Sequence, residues 1–497
     1  MGLDRPLFSR RRMLALLLAG AAVPARADAP KTSLRPRRRG ETAPPPLPDT
    51  RAAGTLVAAA KLGGAVGFVL ADAKTGLVIE AEGGDLPLPP ASVAKAMTAL
   101  YALEKLGAGH RFGTRLLGTG PVVDGVLQGD LVLVGSGDPT LSTDHLGDMA
   151  RTLAARGVKR ISGRYLAYTG ALPGVAAIDR DQPDHVGYNP AISGLNLNFN
   201  RVHFEWRQGG GGYAVTMDAR AERFVPAVTM ARMQVAQRDL PVYTYAAGQG
   251  GDNWTVAVTA LGKGGSRWLP VRQPDIYTPE VFQTLARAQG ITLPAAEVVR
   301  DLPAGTALAE HVSEDLAVIL RDMLKFSTNI TAEVVGLAAS GAPTLEASGR
   351  AMSDWAAARF GITARFVDHS GLGGASRISA ADMAAALVRA RGTTSAAMLA
   401  GLLREVGMRD ATGAVAEGHP TRVLAKSGTL NFVSGLAGYI VPSEGRELVF
   451  AIFCADVARR DRLTLAEREL PEGGQAWTKR ARRLQGQLLH RWGTAFV

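Results

Sequence analysis

The sequence predicts a mixed α/β (α+β) fold that a long β-rich insertion interrupts. Three observations support this fold class. Near the start, two strand-like runs flank a turn and lead into an amphipathic helix. Residues 113–305 consist mainly of short β-like runs with glycine-rich joints. Helical patterns and then strands return over residues 306–497.

The first ordered elements are a predicted hairpin and the helix that follows it. "GAVGFVLAD" and "GLVIEAEG" are strand-like on either side of a turn at residues 72–76. The helix opens at Ser92, within "PPASVAKAMTALYAL". In the insertion, "DLVLVGSG", "YAVTMDA" and "NWTVAVTAL" predict strands, and we expect two small domains there.

The last part of the chain is predicted to alternate between helical and sheet layers. "LAVILRDMLKFSTNITAEVVGLAA" and "SAADMAAALVRA" predict helices, and "VLAKSGTL", "SGLAGYIV" and "ELVFAIFCADV" predict strands. The tail predicts a final helix that packs into the core, with exposed arginines still able to contact an anionic membrane surface. Its apolar residues fall at helical spacing: Trp477, Ala481, Leu484, Leu488 and Trp492.

The N-terminus predicts export. Residues 1–27 combine a basic stretch at 10–12, an apolar run at 13–23 and a small-residue pattern at 25–27, which is the layout of a signal peptide. The same basic stretch also fits a twin-arginine signal, so the export route stays open. Either route predicts a periplasmic or otherwise exported protein. The proline and charge content of residues 28–50 predicts a basic linker.

Composition limits the classes of site and partner. The 497 residues are 46% hydrophobic and 20% charged, which is typical of a globular chain of two or three domains. The single cysteine, Cys454, excludes a disulfide framework and a cysteine-rich metal site, and its apolar neighbours predict burial. The net charge of +11 favours anionic neighbours such as membranes or acidic wall polymers. We expect no nucleic acid partner for an exported protein.

Ser92 and Lys95 lie on one face of the predicted helix, because residues three apart are neighbours there. A serine hydroxyl becomes a nucleophile only beside a base. A lysine acts as that base only when burial or a nearby positive charge lowers its pKa. Taken alone, the pair is better explained by a helix N-cap followed by a solvated lysine.

Two further patterns follow in order along the chain. Ser327 and Asn329 lie at a break between two helical segments, and Lys426, Ser427 and Gly428 lie inside a predicted strand. A glycine within a strand indicates that another group closely approaches the backbone, and here we expect that group to be a ligand. Singly, these residues could cap a helix or protect a strand edge. Together, S-x-x-K, S-x-N and K-[ST]-G form the set associated with β-lactamases and penicillin-binding proteins.

The long separation between the first two motifs makes the sequence resemble class C penicillin-binding proteins, the D-alanyl-D-alanine carboxypeptidase and endopeptidase family S13. "GSGDPTL", "GLNLNFN" and "VDHSGLGGASRIS" agree with this resemblance. It implies a β-lactamase/transpeptidase-like serine hydrolase fold with a five-stranded antiparallel sheet and flanking helices. Residues 51–112 and 306–497 would form this catalytic domain, and residues 113–305 would be inserted.

The resemblance also implies catalytic roles. Ser92 would attack the carbonyl of a D-Ala-D-Ala bond and become acylated, with Lys95 as the general base. Ser327 would relay a proton to the leaving D-alanine. Asn329 would hold the substrate amide and orient Lys95. Lys426 would attract the terminal carboxylate of the substrate.

The remaining implied residues bind substrate. The Ser427 hydroxyl would contact the terminal carboxylate, next to Gly428, and the N–H groups of Ser92 and Thr429 would form the oxyanion hole. Asp184, in the insertion, would face the amino group of the substrate.

The expected function is that of an exported serine-type D-Ala-D-Ala carboxypeptidase, which could also act as a DD-endopeptidase. Its substrates would be peptidoglycan stem peptides, β-lactams would be covalent inhibitors, and no cofactor or metal is expected. A β-lactamase or esterase of the same fold and a non-catalytic wall-binding module are the alternatives.

Two other side-chain groups are given structural interpretations. For His369 and Ser370, a turn in "DHSGLGG" is favoured over a catalytic pair. Asp144, His145 and Asp148 are assigned to a helix start rather than to a metal site.

Overall fold

The computed structural model describes residues 52–408, 415–416 and 418–497. The predicted signal peptide at 1–27 and linker at 28–50 lie outside the described residues.

The helices, numbered in chain order, are α1 Ala53–Ala60, α2 Ala94–Lys105, α3 Thr143–Ala155, α4 Pro274–Ala288, α5 Leu316–Phe326, α6 Asn329–Ser340, α7 Leu345–Phe360, α8 Ala380–Arg391, α9 Thr394–Leu402, α10 Val457–Asp461 and α11 Gly474–Ala495.

The strands are β1 Ala65–Asp72, β2 Val78–Glu82, β3 Gly113–Gly118, β4 Val122–Val123, β5 Val126–Leu127, β6 Leu131–Val134, β7 Arg160–Ile161, β8 Tyr165–Tyr168, β9 Arg201–Gly209, β10 Gly212–Asp218, β11 Ala231–Ala236, β12 Tyr243–Gly248, β13 Gly251–Ala257, β14 Gly264–Pro270, β15 Ala296–Val299, β16 Thr306–Val312, β17 Ala364–Arg365, β18 Arg377–Ile378, β19 Arg404–Val406, β20 Arg422–Leu430, β21 Val433–Val441 and β22 Leu448–Ala455.

The main sheet is antiparallel throughout and has the order β19-β20-β21-β22-β1-β2. It contains the five strands expected from the sequence and a short sixth strand, β19, which extends one edge. β19 pairs with β20 over three residues, Arg404 to Val406, so the edge adds little to the sheet.

The predicted hairpin is confirmed. Asp72 closes the turn between β1 and β2, because its Oδ1 accepts hydrogen bonds from the backbone N–H groups of Lys74 (3.0 Å) and Thr75 (2.7 Å). Gly76 follows with a φ of 75°, a left-handed conformation that costs glycine little.

Both faces of the main sheet are buried, and successive residues of a strand face opposite layers. In β22, Val449 and Ala451 join the cluster formed by the helices that carry the first two motifs, whereas Phe450 and Ile452 join the cluster around α11. This double burial explains the nearly continuous apolar sequence of β22. It also places Cys454 in the α11 layer, buried as predicted.

The final helix packs in the core, as predicted. Trp477 and Trp492 are fully buried, and the indole N–H of each donates a hydrogen bond, to the carbonyl oxygen of Leu62 at 2.7 Å and to Glu80 Oε2 at 2.6 Å. Buried indoles need such partners. The membrane-lying alternative therefore does not apply to the apolar face of α11.

The inserted region has a mixed sheet of order β15-β8-β6-β3-β16 and three three-stranded sheets, β4-β5-β7, β10-β9-β14 and β11-β13-β12. One cluster of buried apolar residues runs through them together with α3 and α4. β16 pairs with β3, so residues 306–312, expected in the catalytic domain, hydrogen-bond within the inserted sheet. The division of the insertion into two small domains stays a prediction.

Within the described part of the chain, no helix combines the length and apolar character needed to cross a bilayer.

Replacing Trp477 with alanine should lower the free energy of unfolding by about 3–5 kcal/mol, because a fully buried aromatic ring leaves a cavity. Urea unfolding measures this change. Arg480→Ala is the matched control on the same helix, since Arg480 is exposed, and it should change stability by less than about 0.5 kcal/mol. Equal stability of the two variants would contradict the packing described for α11.

Candidate active site

The first motif lies where a short 3-10 turn, Ala91–Val93, runs into α2. Ser92 lines an open cleft, and Lys95, one turn later, is fully buried. Ala91 has a φ of 47°, which is uncommon for a residue with a side chain, and its carbonyl leaves no room for a Cβ atom at Gly371. The strained turn and the glycine together hold the start of α2 against the loop at residues 368–373.

The Lys95 amine has three oxygen neighbours. Nζ lies 2.9 Å from Ser92 Oγ, 2.7 Å from Asn329 Oδ1 and 2.7 Å from the carbonyl oxygen of Ser370. The amide and carbonyl oxygens can only accept. The two N–H groups of a neutral Lys95 amine therefore donate hydrogen bonds to these two oxygens. The lone pair of the amine is left to accept the proton of Ser92.

The surroundings of Lys95 favour this neutral form. Burial lowers the pKa of Lys95 well below its usual range, and the ammonium of Lys426 lowers it further. The carboxyl groups of Glu333 and Asp368 act in the opposite direction and raise the pKa of Lys95.

Two buried acids behind Lys95 escaped the sequence analysis. Glu333 accepts the backbone N–H groups of His369 and Ser370, each at 2.8 Å, and Asp368 accepts those of Gly371 and Gly373 at 2.8 and 2.6 Å. Burial raises the pKa of Glu333 to about 8 and that of Asp368 to about 6. These hydrogen bonds hold the carbonyl group of Ser370 against Lys95. The only sequence signal for the burial of Glu333 is the apolar character of the residues around it on α6.

The second motif occupies the break between α5 and α6. Ser327 ends α5 in the left-handed region, with φ 59° and ψ 39°, so the chain turns sharply before α6 begins. Asn329 is the first residue of α6. Its Oδ1 accepts from Lys95, and its Nδ2 donates to the carbonyl oxygen of Tyr188 at 2.9 Å. Asn329 thus contacts the inserted region.

The third motif lies on β20 and faces the second. Lys426 Nζ is 3.0 Å from Ser327 Oγ and 2.8 Å from the carbonyl oxygen of Ser427, and only 3% of Lys426 is exposed. Burial, with a smaller effect of Arg404, lowers the pKa of Lys426 to about 8. Ser427 and Thr429 are exposed.

Gly428 lies against the backbone of the first motif. A Cβ atom at this position would lie 2.7 Å from the carbonyl oxygen of Pro90 and 2.8 Å from the backbone nitrogen of Ser92. The close approach seen here is between β20 and the turn at Ala91–Val93. It brings the backbone of the third motif against that of the first.

The cleft has a cavity of about 860 Å³ that Ser92, Ser327, Asn329 and Thr429 line together. A second cavity of about 400 Å³ adjoins it, on the side where Lys426 and Ser427 lie. Arg404, on the short edge strand β19, also lines this second cavity and was missed from the sequence.

Asp184 is a correction: the structure does not bring it into the cleft. Its side chain is exposed and lines neither cavity, and its carbonyl oxygen accepts a hydrogen bond from Arg272 at 2.7 Å. The chain turns at this point, so Gln182 and Tyr188 line the cleft instead. The order of residues along the chain does not determine which side chain of this turn points into the cleft.

His369 is a buried structural residue. Its Nε2 is 2.6 Å from Ser348 Oγ, and burial lowers the pKa of His369 to about 3, so the ring is neutral. The turn predicted for this segment is confirmed by the backbone bonds that Asp368 accepts.

The predicted helix start at residues 142–148 is also confirmed. Ser142 and His145 form the capping box of α3. Asp144 accepts the backbone N–H of Arg223, and Asp148 pairs with the guanidinium groups of Arg223 and Arg151.

Comparison with known proteins agrees with this geometry. The profile of the D-Ala-D-Ala carboxypeptidase 3 (S13) family matches residues 53–469. A D-alanyl-D-alanine carboxypeptidase of Actinomadura sp. is 32% identical over 432 residues, covering 79% of this chain and 78% of that protein. D-alanyl-D-alanine carboxypeptidase DacB of Haemophilus influenzae is 26% identical over 282 residues, 54% of this chain and 58% of that one.

The fold is also found among solved structures. The crystal structure of penicillin-binding protein 4 (dacB) from Haemophilus influenzae superposes with a TM-score of 0.72 at 21% identity, covering 88% of this chain and 100% of that one. The predicted fold class is thereby confirmed. Since the family profile spans most of the described residues, the chain belongs to the D-Ala-D-Ala carboxypeptidase 3 (S13) family.

Proposed function

We propose that the protein is a serine-type D-Ala-D-Ala carboxypeptidase, active also as a DD-endopeptidase, that hydrolyses peptidoglycan stem peptides through an acyl-enzyme on Ser92. The observation that carries the proposal is the Lys95 amine, which is buried between Asn329 and the Ser370 carbonyl with its third position turned to Ser92 Oγ. A lysine buried in this way can act as the base for a nucleophile, whereas a module that only binds the cell wall needs no such base.

In the acylation step, Ser92 Oγ forms a bond to the carbonyl carbon of the penultimate D-alanine while its proton passes to Lys95. The N–H groups of Ser92 and Thr429 stabilise the oxyanion, each contributing about 3 kcal/mol. The carbon–nitrogen bond then breaks, and the proton that Lys95 accepted passes to the leaving amine through Ser327, which lies within hydrogen-bond distance of Lys426, so that Lys95 is neutral again. Water hydrolyses the ester and returns the proton to Ser92.

The second cavity fits the terminal carboxylate of the substrate. Lys426 and Arg404 supply positive charge, and Ser427 supplies a hydroxyl donor. A free carboxylate after the scissile bond is the feature that defines a carboxypeptidase substrate. A longer, cross-linked peptide would use the 860 Å³ cleft between the inserted region and α11.

The named relatives support the same activity and its inhibition. The relative from Actinomadura is a D-alanyl-D-alanine carboxypeptidase, and the Haemophilus penicillin-binding protein 4 has been crystallised with a β-lactam. The signal-like residues 1–27 support a periplasmic location, where the peptidoglycan substrate lies. Peripheral contact with an anionic membrane surface would be a secondary association.

Penicillin should add covalently to the mature protein, with the mass increase mapping to Ser92, and the protein should release D-alanine from a D-Ala-D-Ala peptide. Ser92→Ala should do neither. Mass spectrometry of the intact protein and of its peptides measures the adduct. An adduct on Ser92→Ala would refute the assignment of the nucleophile. A wild-type protein without adduct or D-alanine release would favour the wall-binding module, and rapid penicillin turnover without D-alanine release would favour a β-lactamase.

The rate of D-alanine release should fall on both sides of a pH optimum. Below the depressed pKa of Lys95 the base is protonated, so activity is lost as the pH falls. Above about pH 8 Lys426 loses the charge that attracts the carboxylate, so activity is lost as the pH rises. Lys426→Arg should shift the alkaline limb upwards, because a guanidinium stays charged. Lys105→Arg, an exposed control at the end of α2, should leave both limbs unchanged. An alkaline limb that stays near pH 8 in Lys426→Arg would contradict the role given to Lys426.

Glu333→Gln should slow penicillin acylation, because Glu333 accepts the backbone N–H groups of His369 and Ser370 on two different oxygens and the amide nitrogen that replaces one of them cannot accept. The acidic limb should stay at the wild-type pH, because a carboxyl group with a pKa of about 8 is already uncharged there. Rates of acylation between pH 4 and pH 9 measure both effects. Glu346→Gln, which removes an exposed carboxylate on α7 that pairs with Arg350, is the control. A wild-type rate of acylation in Glu333→Gln would contradict the role of Glu333 as the anchor of the loop at residues 368–373.

A further inference from the structure

One face of α11 lines the 860 Å³ cavity of the cleft. The residues of α11 that line it recur at helical spacing and include Gln475, Lys479, Arg482, Arg483 and Gln487. The opposite face, with Trp477 and Leu484, is buried against the main sheet. The helix is thus held rigidly by its apolar side and presents its basic side to the cavity that contains Ser92.

This wall is strongly basic. Lys479, Arg482 and Arg483 are exposed, and the structure assigns them no ion pair with any described carboxylate. Arg460 adds a fourth cation to the lining. Glu469 is the one acidic residue among the described residues of the cleft lining, and it already pairs with His185 at 2.8 Å and Arg267 at 3.1 Å.

The basic wall is continuous with the reacting centre. Arg482 Nη2 donates a hydrogen bond to Thr429 Oγ1 at 3.2 Å, and the backbone N–H of Thr429 belongs to the proposed oxyanion hole. A chain bound along β20 would pass from Ser92 directly onto α11. The cations therefore lie where they can contact a substrate bound at Ser92.

A membrane explains these cations less well. A helix that lies on a bilayer inserts its apolar face into the lipid, but the apolar face of α11 is occupied by the sheet. The cations also line the same cavity as Gln182 and Tyr188 of the inserted region, which a substrate in the cleft would contact.

We propose that Lys479, Arg482 and Arg483 form an anion-binding subsite for an acidic peptide, which binds the carboxylates of the stem peptide beyond the bond that Ser92 attacks. The inference rests on the proposed function and deepens it, because it names the substrate class. Peptides that carry additional free carboxylates are the preferred substrates, and their neutral amidated forms are poor ones. Carboxylates and these side chains form charge-assisted hydrogen bonds, with arginine able to bind two oxygens at once.

The test compares two D-Ala-D-Ala peptides of the same sequence, one with free side-chain carboxylates and one with those carboxylates amidated. Lys479→Glu combined with Arg483→Glu reverses two charges of the wall without touching the groups assigned to catalysis. The double variant should lose about tenfold or more in kcat/KM for the acidic peptide, mainly through KM, as expected when a charge-assisted hydrogen bond is lost. The amidated peptide should be affected less than about twofold, because it makes no such bond.

Arg480→Glu is the matched control, since Arg480 is an exposed cation between these residues that does not line the cleft. It changes the net charge in the same sense and should leave the preference for the acidic peptide in place. Acylation by penicillin in the double variant should stay at the wild-type rate, which also shows that the variant is folded.

An equal loss for both peptides, or an equal effect of Arg480→Glu, would overturn the subsite. An unchanged peptide preference combined with lost binding of poly(glycerol phosphate) would overturn it too, because the wall would then serve a phosphate polymer. These results are distinct from failure of the proposed function, in which the wild-type protein would release D-alanine from neither peptide and would form no penicillin adduct.

Discussion

The structure depends on one constraint, which is that a lysine amine has to be buried and uncharged next to a serine hydroxyl. Burial of an amine is costly unless its hydrogen bonds are satisfied. Here the partners of Lys95 come from three segments: Ser92 lies in the turn just before α2, whereas Asn329 on α6 and Ser370 in the loop at residues 368–373 are 234 and 275 residues away. The helical layer, the cleft and the loop at residues 368–373 can all be understood as the support for this amine.

Charged groups on opposite sides of the Lys95 amine shift its pKa in opposite directions. Lys426, in front of Lys95, disfavours its protonation, while Glu333 and Asp368 behind it favour protonation. The acids are also anchors, because they accept four backbone N–H groups of one loop. Position and protonation of the base are therefore set by the same residues.

Catalysis and substrate selection are assigned to different structural layers. The reacting groups lie on the helical layer and on β20, which are rigid and buried on their inner sides. The walls that a long substrate meets come from elsewhere, from the inserted region through Tyr188 and from the basic face of α11. Such an arrangement allows substrate preference to differ among proteins of one family without disturbing the central geometry.

Much of this could be predicted from the sequence. Spacing within one turn of a helix determines neighbours, so Ser92 and Lys95 could be paired, and the alternation of apolar residues identified the core strands and the buried face of α11. Which groups from distant segments meet is decided only by the tertiary structure. Glu333 is a buried anchor, Arg404 reaches the second cavity, Gly428 lies against the backbone of the first motif, and Asp184 lies outside the lining of the cleft. Local spacing carries no information about side-chain direction in an irregular turn or about contacts between segments hundreds of residues apart, because packing of the whole chain sets both.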